Sequence, residues 1–396
     1  MQFSKNRWDA LFAEVEKNRD ALVEMSSKIW ENPELGHQEF MAADLLCCML
    51  EKNGFAVERR IAGMETAFSG LFRSGQKGPK VAFVAEYDAL PEIGHACAHN
   101  LFCCAAVGAG IALSAFLEKT GGQVVVLGSP AEEGVVPNYG GKVTLMEAGY
   151  FKDVACAFTA HGENETVIER SLAASTGMSV TFNGVAAHAG GSPEKGVNAL
   201  TAGLLCVNNI NAIRQHGLPG DVVNAIVTEG GTMPNTIPER CKMSFSIRAK
   251  TKANLQRILK NVKNSIDAAV LVTGCTYELD LSKNSYDDTL SNHELGLVMA
   301  EALDSLHVPY KQADARNYAW DAGNVSYVCP TLAPYFKIGP ESLVGHTREF
   351  RDASNSSEGR EAMIGAAKAM AATAFEYLSS EELQEKVKHE FEHTRR

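Results

Sequence analysis

The sequence predicts an α/β protein, a mixed sheet flanked by helices, interrupted by an inserted ferredoxin-like α+β domain. Three observations predict it. Helix and strand signals alternate through residue 169, the pattern of an α/β sheet with parallel pairs. Between 170 and 282 the signals run β-α-β-β-α-β, the ferredoxin-like order. From 283 helix and strand signals resume, so 283–396 is expected to complete the domain begun by 1–169.

Each element follows from local pattern. Helical periodicity covers 7–30 and 37–53, and the apolar run KVAFVAE predicts a buried strand over 80–86. A helix is expected over 99–118, stopped by Gly121-Gly122 before a strand over 123–127. In the insert, strands are expected at 177–183, 222–229, 242–248 and 276–281, with helices at 197–216 and 253–270. A strand over 333–338 and a long Ala-rich helix over 356–378 close the chain.

At 396 residues the chain exceeds one ordinary core, and two domains are expected. The formal net charge of -11 argues against a nucleic-acid or anionic-membrane partner, which a surplus of Lys and Arg would hold. The first residues lack the apolar run of a signal peptide, and nothing approaches the roughly 20 apolar residues of a membrane span, so a cytoplasmic location is expected. Of ten cysteines, the pairs Cys47-Cys48 and Cys103-Cys104 sit in apolar helical runs, and most are expected to be reduced core residues. Cys97 differs, lying between His95 and His99 in a loop.

Four segments combine acids, imidazoles or thiols with turn residues, and the first three follow predicted strands, where open α/β sheets bind ligands. Glu86 to Pro91 runs into Gly94 to Asn100, and Cys97 and His99 at a loop-to-helix junction are spaced to reach one metal or two adjacent ones. Ser129 to Gly134 carries Glu132-Glu133. Burying two adjacent carboxylates costs several kcal/mol per ion unless a cation compensates, so one can bind metal while the other serves as base. Alone, such a pair is usually a solvated turn. His161-Gly162 and Gly345-His346-Thr347 add two imidazoles that singly would read as loop histidines. Together Cys97, His99, Glu133, His161 and His346 exceed what one catalytic zinc needs, and a dinuclear site fits the count. The thiolate favours zinc, while the remaining ligands also accept manganese or cobalt. A thiol enzyme with Cys97 as nucleophile is the competing chemistry, but it leaves Glu132-Glu133 without a role.

The ordered motifs NPELGHQE (32–39), AEYDALPEIGHACAHN (85–100), SPAEEG (129–134), FNGVAAHAGGSPEKGVNAL (182–200), GGTMPNTIPER (230–240), DAGNVS (321–326) and GHTREF (345–350) carry a resemblance. Over nearly its whole length the chain resembles the dinuclear metallopeptidases of clan MH in the aminoacylase and carboxypeptidase group. More narrowly, it resembles the amidohydrolase branch of aminobenzoyl-glutamate hydrolases, auxin-conjugate hydrolases and dipeptidases. The resemblance implies a zinc-peptidase-like catalytic domain and an inserted dimerisation domain. It implies that Cys97, His99, Glu133, His161 and His346 bind two divalent metals, that Asp88 orients the ligand shell, and that Glu132 is general base and proton shuttle. His188 would enter the partner's active site in a homodimer and face the developing oxyanion. Asn235 and Arg248 would hold the substrate's amide and carboxylate, although Arg248, ending an alternating strand, also suits a solvent-facing salt bridge.

The implied reaction cleaves the amide of an N-acyl, aminoacyl or arylacyl amino acid, a small molecule with a free carboxylate, by attack of water shared between the metals. The alternatives are a dipeptidase with a narrow substrate range and a retired, ligand-binding member. Two departures stand out: Ala98 where relatives carry glycine, and Trp320 before Asp321 where small hydroxyl residues are expected, a substitution bearing on the substrate pocket.

Overall fold

The computed structural model describes residues 7–281 and 285–394, which divide into two compact units. The first takes Met1–Ser171, Thr289–Ala315 and Asp321–Arg396; the second takes Leu172–Asp288 and Arg316–Trp320. The expected boundary at 282/283 falls in 282–284, outside the described residues. The second unit reaches Asp288 because Tyr286 exchanges backbone hydrogen bonds with Ser175 and Lys252 pairs with Asp287. It takes 316–320 through Ala173, whose N–H donates to Tyr318 O.

The first unit opens with α1 (Asp9–Lys17), α2 (Arg19–Glu31) and α3 (Phe40–Lys52), so the helical stretch expected over 7–30 breaks at Asn18. A hairpin that the pattern did not signal, β1 (Ala56–Arg59) and β2 (Phe68–Arg73), precedes β3 (Lys80–Glu86). Then come α4 (His99–Ser114), α5 (Leu117–Thr120), β4 (Gln123–Ser129), α6 (Gly141–Glu147), β5 (Cys156–Phe158), β6 (His161–Glu163) and β7 (Val167–Ser171). The second unit holds β8 (Ala174–Asn183), α7 (Ala199–Ile213), β9 (Val222–Glu229), β10 (Arg240–Ala249), α8 (Lys252–Thr273) and β11 (Thr276–Leu281). The first unit resumes with α9 (His293–Ser305), β12 (Lys311–Ala315), α10 (Ala322–Ser326), β13 (Thr331–Leu332), β14 (Tyr335–Lys337), α11 (Arg348–Ala353), α12 (Ser357–Ser379) and α13 (Glu381–Thr394).

The main sheet has the order β1-β2-β4-β3-β5-β13. It is mixed: β3 is parallel to β4 and β5, and β13 to β5, whereas the hairpin edge is antiparallel. Because β3, β4 and β5 run the same way, the chain leaves all three at one edge of the sheet. A second sheet, β12-β7-β14-β6, holds His161 at the start of β6. There the buried Arg170 binds Glu163 at 2.9 Å and Asp314 at 2.7 Å, its guanidinium lies 4.6 Å from the Tyr335 ring centroid, and that ring lies 5.5 Å from His161.

Helix α4 explains how the site is anchored. Every residue of HNLFCCAAVGAGIALS is buried, as expected of a helix apolar all round, and it packs on β3 and β4 as well as on α1, α2 and α12. Its small residues permit that approach: a Cβ on Gly110 would lie 2.6 Å from Val126 Cγ2. The helix therefore sits at a fixed depth and holds His99 at its first turn.

In the second unit the antiparallel sheet β11-β8-β10-β9 packs α7 and α8 into a separate core. Burial alternates residue by residue along β8 and most of β10, the period-2 signature of a sheet with one face covered. Asn198 and Thr251 cap the two helices by accepting the N–H groups of Thr201 and Asn254. Among the described residues no helix is long and apolar enough to cross a membrane.

Gly110→Ala is expected to lower unfolding stability by about 1–3 kcal/mol, the usual cost of overpacking, measured by urea denaturation. An unchanged midpoint would show that α4 is free to move away from β4.

Candidate active site

The site forms where β3, β4 and β5 end. Strand β3 ends on Glu86 and is followed by Asp88, both 1% exposed, and the chain then enters α4 through Cys97 and His99. Beyond β4 come Glu132 and Glu133, and beyond β5 comes His161. Ligand-capable atoms of Cys97, His99 and His161 lie within 4.8 Å of one another, as do those of Cys97, Glu133 and His346, and those of His99, Glu132 and Glu133. The three groups share members, so Cys97, His99, Glu132, Glu133, His161 and His346 form one continuous cluster. His346 is its exposed member, with Nε2 3.8 Å from Glu133 Oε2.

Hydrogen bonds orient these side chains. His99 Nδ1 lies 2.9 Å from the Asp88 carbonyl and 3.2 Å from Asp88 Oδ1, an environment of acceptors that places the ring proton there and leaves Nε2 as the donor atom for a cation. His161 Nδ1 faces the Gly162 carbonyl at 2.7 Å with the same consequence. Asp88 also accepts the Glu133 N–H on Oδ2 at 2.9 Å, so one carboxylate links the loop after β3, the first turn of α4 and the loop after β4. Among the atoms facing the cluster, His99 Nε2 and Glu133 Oε1 are buried and have no hydrogen-bond partner.

Three non-glycine residues beside or within the ligand set have left-handed backbones: Ala98 at φ 61°, Ala131 at φ 55° and His346 at φ 61°. Each costs on the order of 1–2 kcal/mol, and such strain persists where the surroundings over-determine it. The departure at Ala98 is accommodated this way, opposite Gly162, where a Cβ would lie 2.7 Å from that of Ala98.

Electrostatics define what the cluster accepts. Glu86, Asp88, Glu132, Glu133 and Asp321 are all buried within or beside it. Lys142, 0% exposed, donates to Glu86 Oε2 and Asp321 Oδ1, each at 2.5 Å. Burial raises the Glu132 carboxyl well above the usual carboxylate range, with Glu133, Glu86 and Asp321 adding repulsion, and burial likewise raises Glu133. Burial pushes the Cys97 thiol well up, reinforced by Glu133. His99 goes the other way: burial opposes its charge, yet Glu86 and Asp88 hold it cationic, a surrogate for the positive charge the carboxylates demand. The donor set of imidazole, thiol and carboxylate fits divalent metal ions.

His188, Asn235 and Arg248 belong to the second unit. His188 is exposed, and its Nδ1 accepts the N–H groups of Gly190 and Gly191 at 3.2 and 2.9 Å, which places its proton on Nε2. Asn235 is exposed and accepts the Ala189 N–H on its carbonyl. Half-buried Arg248 donates to the Asn317 carbonyl at 3.0 Å, so part of its fork is spent within its own unit. Trp320 is buried. Sequence reasoning did not foresee Lys142: one lysine after Gly140-Gly141 reads as a solvated helix start, and only the fold reveals its two carboxylates.

Residues 171–272 match the family model described as a peptidase dimerisation domain. The Xaa-Arg dipeptidase of Mus musculus is 34% identical over 95% of this chain and 90% of its own length. The chain belongs to the M20 peptidase family. That membership makes it a hydrolase of C–N amide bonds. A p-aminobenzoyl-glutamate hydrolase subunit of Escherichia coli K12 is 33% identical over 74% of the M20 chain and 64% of its own length. A Bacillus subtilis structure, described as a dinuclear metal binding peptidase of the M20 family, shares the fold at a TM-score of 0.69 and 17% identity, covering 92% of this chain and 99% of that one.

Lys142→Met is expected to destabilise the metal-free protein by about 3–5 kcal/mol, because Glu86 and Asp321 lose their buried counter-charge. Guanidinium denaturation measures it, and a cost below about 1 kcal/mol would show that the ion pairs are solvated.

Proposed function

We propose that this protein is a dinuclear metal-dependent amidohydrolase that releases an amino acid from a dipeptide or an N-acyl amino acid. The observation that carries the reading is the buried Glu132-Glu133 pair beside His99, whose Nε2 and the Oε1 of Glu133 lack hydrogen-bond partners. In this reading Cys97, His99, Glu133, His161 and His346 hold the two ions, with zinc preferred and manganese or cobalt accepted. Bound divalent ions supply acidity to water and polarise the scissile carbonyl. Glu132 takes the proton from the attacking water and returns it to the leaving amine. Asp88 keeps His99 in the tautomer that presents Nε2.

The working form in this reading is a homodimer. The match of 171–272 to a dimerisation domain supports it, as does the edge strand β9, where Ile226 is 64% and Val227 42% exposed. His188, with its Nε2–H exposed, is assigned to the oxyanion in the partner's site. Asn235 and the remaining donors of Arg248 are assigned to the substrate's amide and carboxylate. The ten cysteines are free thiols, which suits a reducing cytoplasm.

Among substrates, a dipeptide is favoured by the near full-length likeness to a protein named Xaa-Arg dipeptidase. Xaa-Arg dipeptides, p-aminobenzoyl-glutamate and indole-3-acetyl-aspartate form the test panel, with amino-acid release followed before and after chelation. Glu132→Gln is expected to lower kcat by about 10²- to 10⁴-fold with metal still bound. Release that survives both chelation and Glu132→Gln would overturn the reading. Light scattering tests the dimer, and a monomer at full activity would remove His188 from the mechanism.

A further inference from the structure

The motif NPELGHQE has no part in the chemistry above, yet it lies against the loops that carry the chemistry. Between α2 and α3, the Glu34 carboxylate accepts the N–H groups of Met41 and Ala42 at 3.0 and 2.9 Å. The Glu34 carbonyl accepts the N–H of Ala89, the residue after Asp88, at 2.8 Å. A Cβ on Gly36 would lie 2.8 Å from both Ala131 Cβ and Val136 Cγ2, so the backbone itself abuts the loop after β4. His37 Nε2 lies 3.1 Å from the Asn138 carbonyl at the far end of that loop.

Glu39 makes the decisive contact. It is 0% exposed, and burial, with Asp88 nearby, pushes its carboxyl up to about 7. Oε2 accepts the Thr66 hydroxyl at 2.8 Å, and Oε1 accepts the N–H of Ala131 at 2.8 Å. Ala131 is the left-handed residue immediately before Glu132, and its carbonyl takes the Gly140 N–H at 2.6 Å. A buried carboxylate served by neutral donors costs more than an apolar filler would, so space-filling does not account for it. A strained turn, by contrast, needs a fixed acceptor to hold its N–H.

We propose that Glu39 is a positioning residue whose hydrogen bond to Ala131 holds the left-handed turn that aims Glu132 and Glu133. The proposal rests on the amidohydrolase reading. The segment 33–39 braces the loops after β3 and β4 together, and Glu39 sets the direction of the paired carboxylates. Its hydrogen bonds, rather than its charge, perform this role. Glu39→Gln keeps an acceptor for Ala131 and turns its amide donors toward Thr66; Glu39→Leu keeps the volume and loses both bonds.

The test compares these variants with unmodified full-length protein by zinc affinity in chelator competition, melting temperature, and kcat and KM on whichever panel member is cleaved. Glu39→Leu is expected to weaken zinc binding at least about tenfold, and to lower kcat about a hundredfold while KM stays within about threefold. Glu39→Gln is expected to match unmodified protein in zinc affinity and kcat and to melt at the same temperature or higher. If Glu39→Leu does not fold, Thr66→Val decides: it leaves one buried carboxylate oxygen without its donor, so the melting temperature falls, and assayed well below that temperature it should cost about fivefold in kcat, the scale of one hydrogen bond. An unchanged kcat in that variant would overturn the role. So would Glu39→Leu with native zinc affinity and kcat, or Gln and Leu variants equally impaired. Unmodified protein that takes up none of zinc, manganese and cobalt overturns the metal-dependent reading on which the proposal rests, a failure distinct from metal-replete protein indifferent to residue 39.

Discussion

Negative charge held out of water is the constraint around which the first unit is organised. Glu86, Asp88, Glu132, Glu133 and Asp321 are buried together at one edge of the main sheet, where isolated carboxylates would each cost several kcal/mol. Lys142 answers two of them, and His99 is held cationic by two. The remaining demand for positive charge is concentrated where Cys97, His99, Glu133, His161 and His346 converge. In the proposed reading, divalent cations meet that demand with those donor atoms.

The rest of the unit supplies stiffness. A helix buried on every side fixes the first turn that carries His99, and the stack of Arg170 on Tyr335 stands behind His161. Strain is placed beside or at the candidate ligands, at Ala98, Ala131 and His346, and is held by hydrogen bonds and packing rather than by glycine. Preorganisation of this kind lets the donor atoms be in position before a cation arrives, which is how a site gains affinity without reorganising.

Much of this was legible in the sequence, for physical reasons. Long apolar runs such as KVAFVAE and QVVVLG can only be buried strands, and the β-α-β-β-α-β order of the insert has one common solution, so both cores were foreseen. Cys97, His99, Glu132, Glu133 and His161 were singled out because acids, a thiol and imidazoles followed predicted strand ends, His346 because it sits in a turn-rich segment, and the fold brings all six together. The hairpin of Ala56–Arg59 and Phe68–Arg73 was missed because its first strand is mostly exposed and in the second, FSGLFR, a glycine takes an inward position that an apolar side chain would have marked. Lys142 and Glu39 were missed for a different reason. Each acts on partners far away in the chain, Asp321 and Ala131, and a local pattern carries no trace of such a pairing.

The most direct test of the central claim is anomalous X-ray diffraction from crystals grown with zinc. The account predicts two peaks about 3.5–4 Å apart, enclosed by Cys97, His99, Glu133, His161 and His346, with Glu132 facing the space between them. A single peak, or zinc bound away from these residues while the cluster keeps its geometry, would contradict a dinuclear centre built to neutralise buried carboxylates.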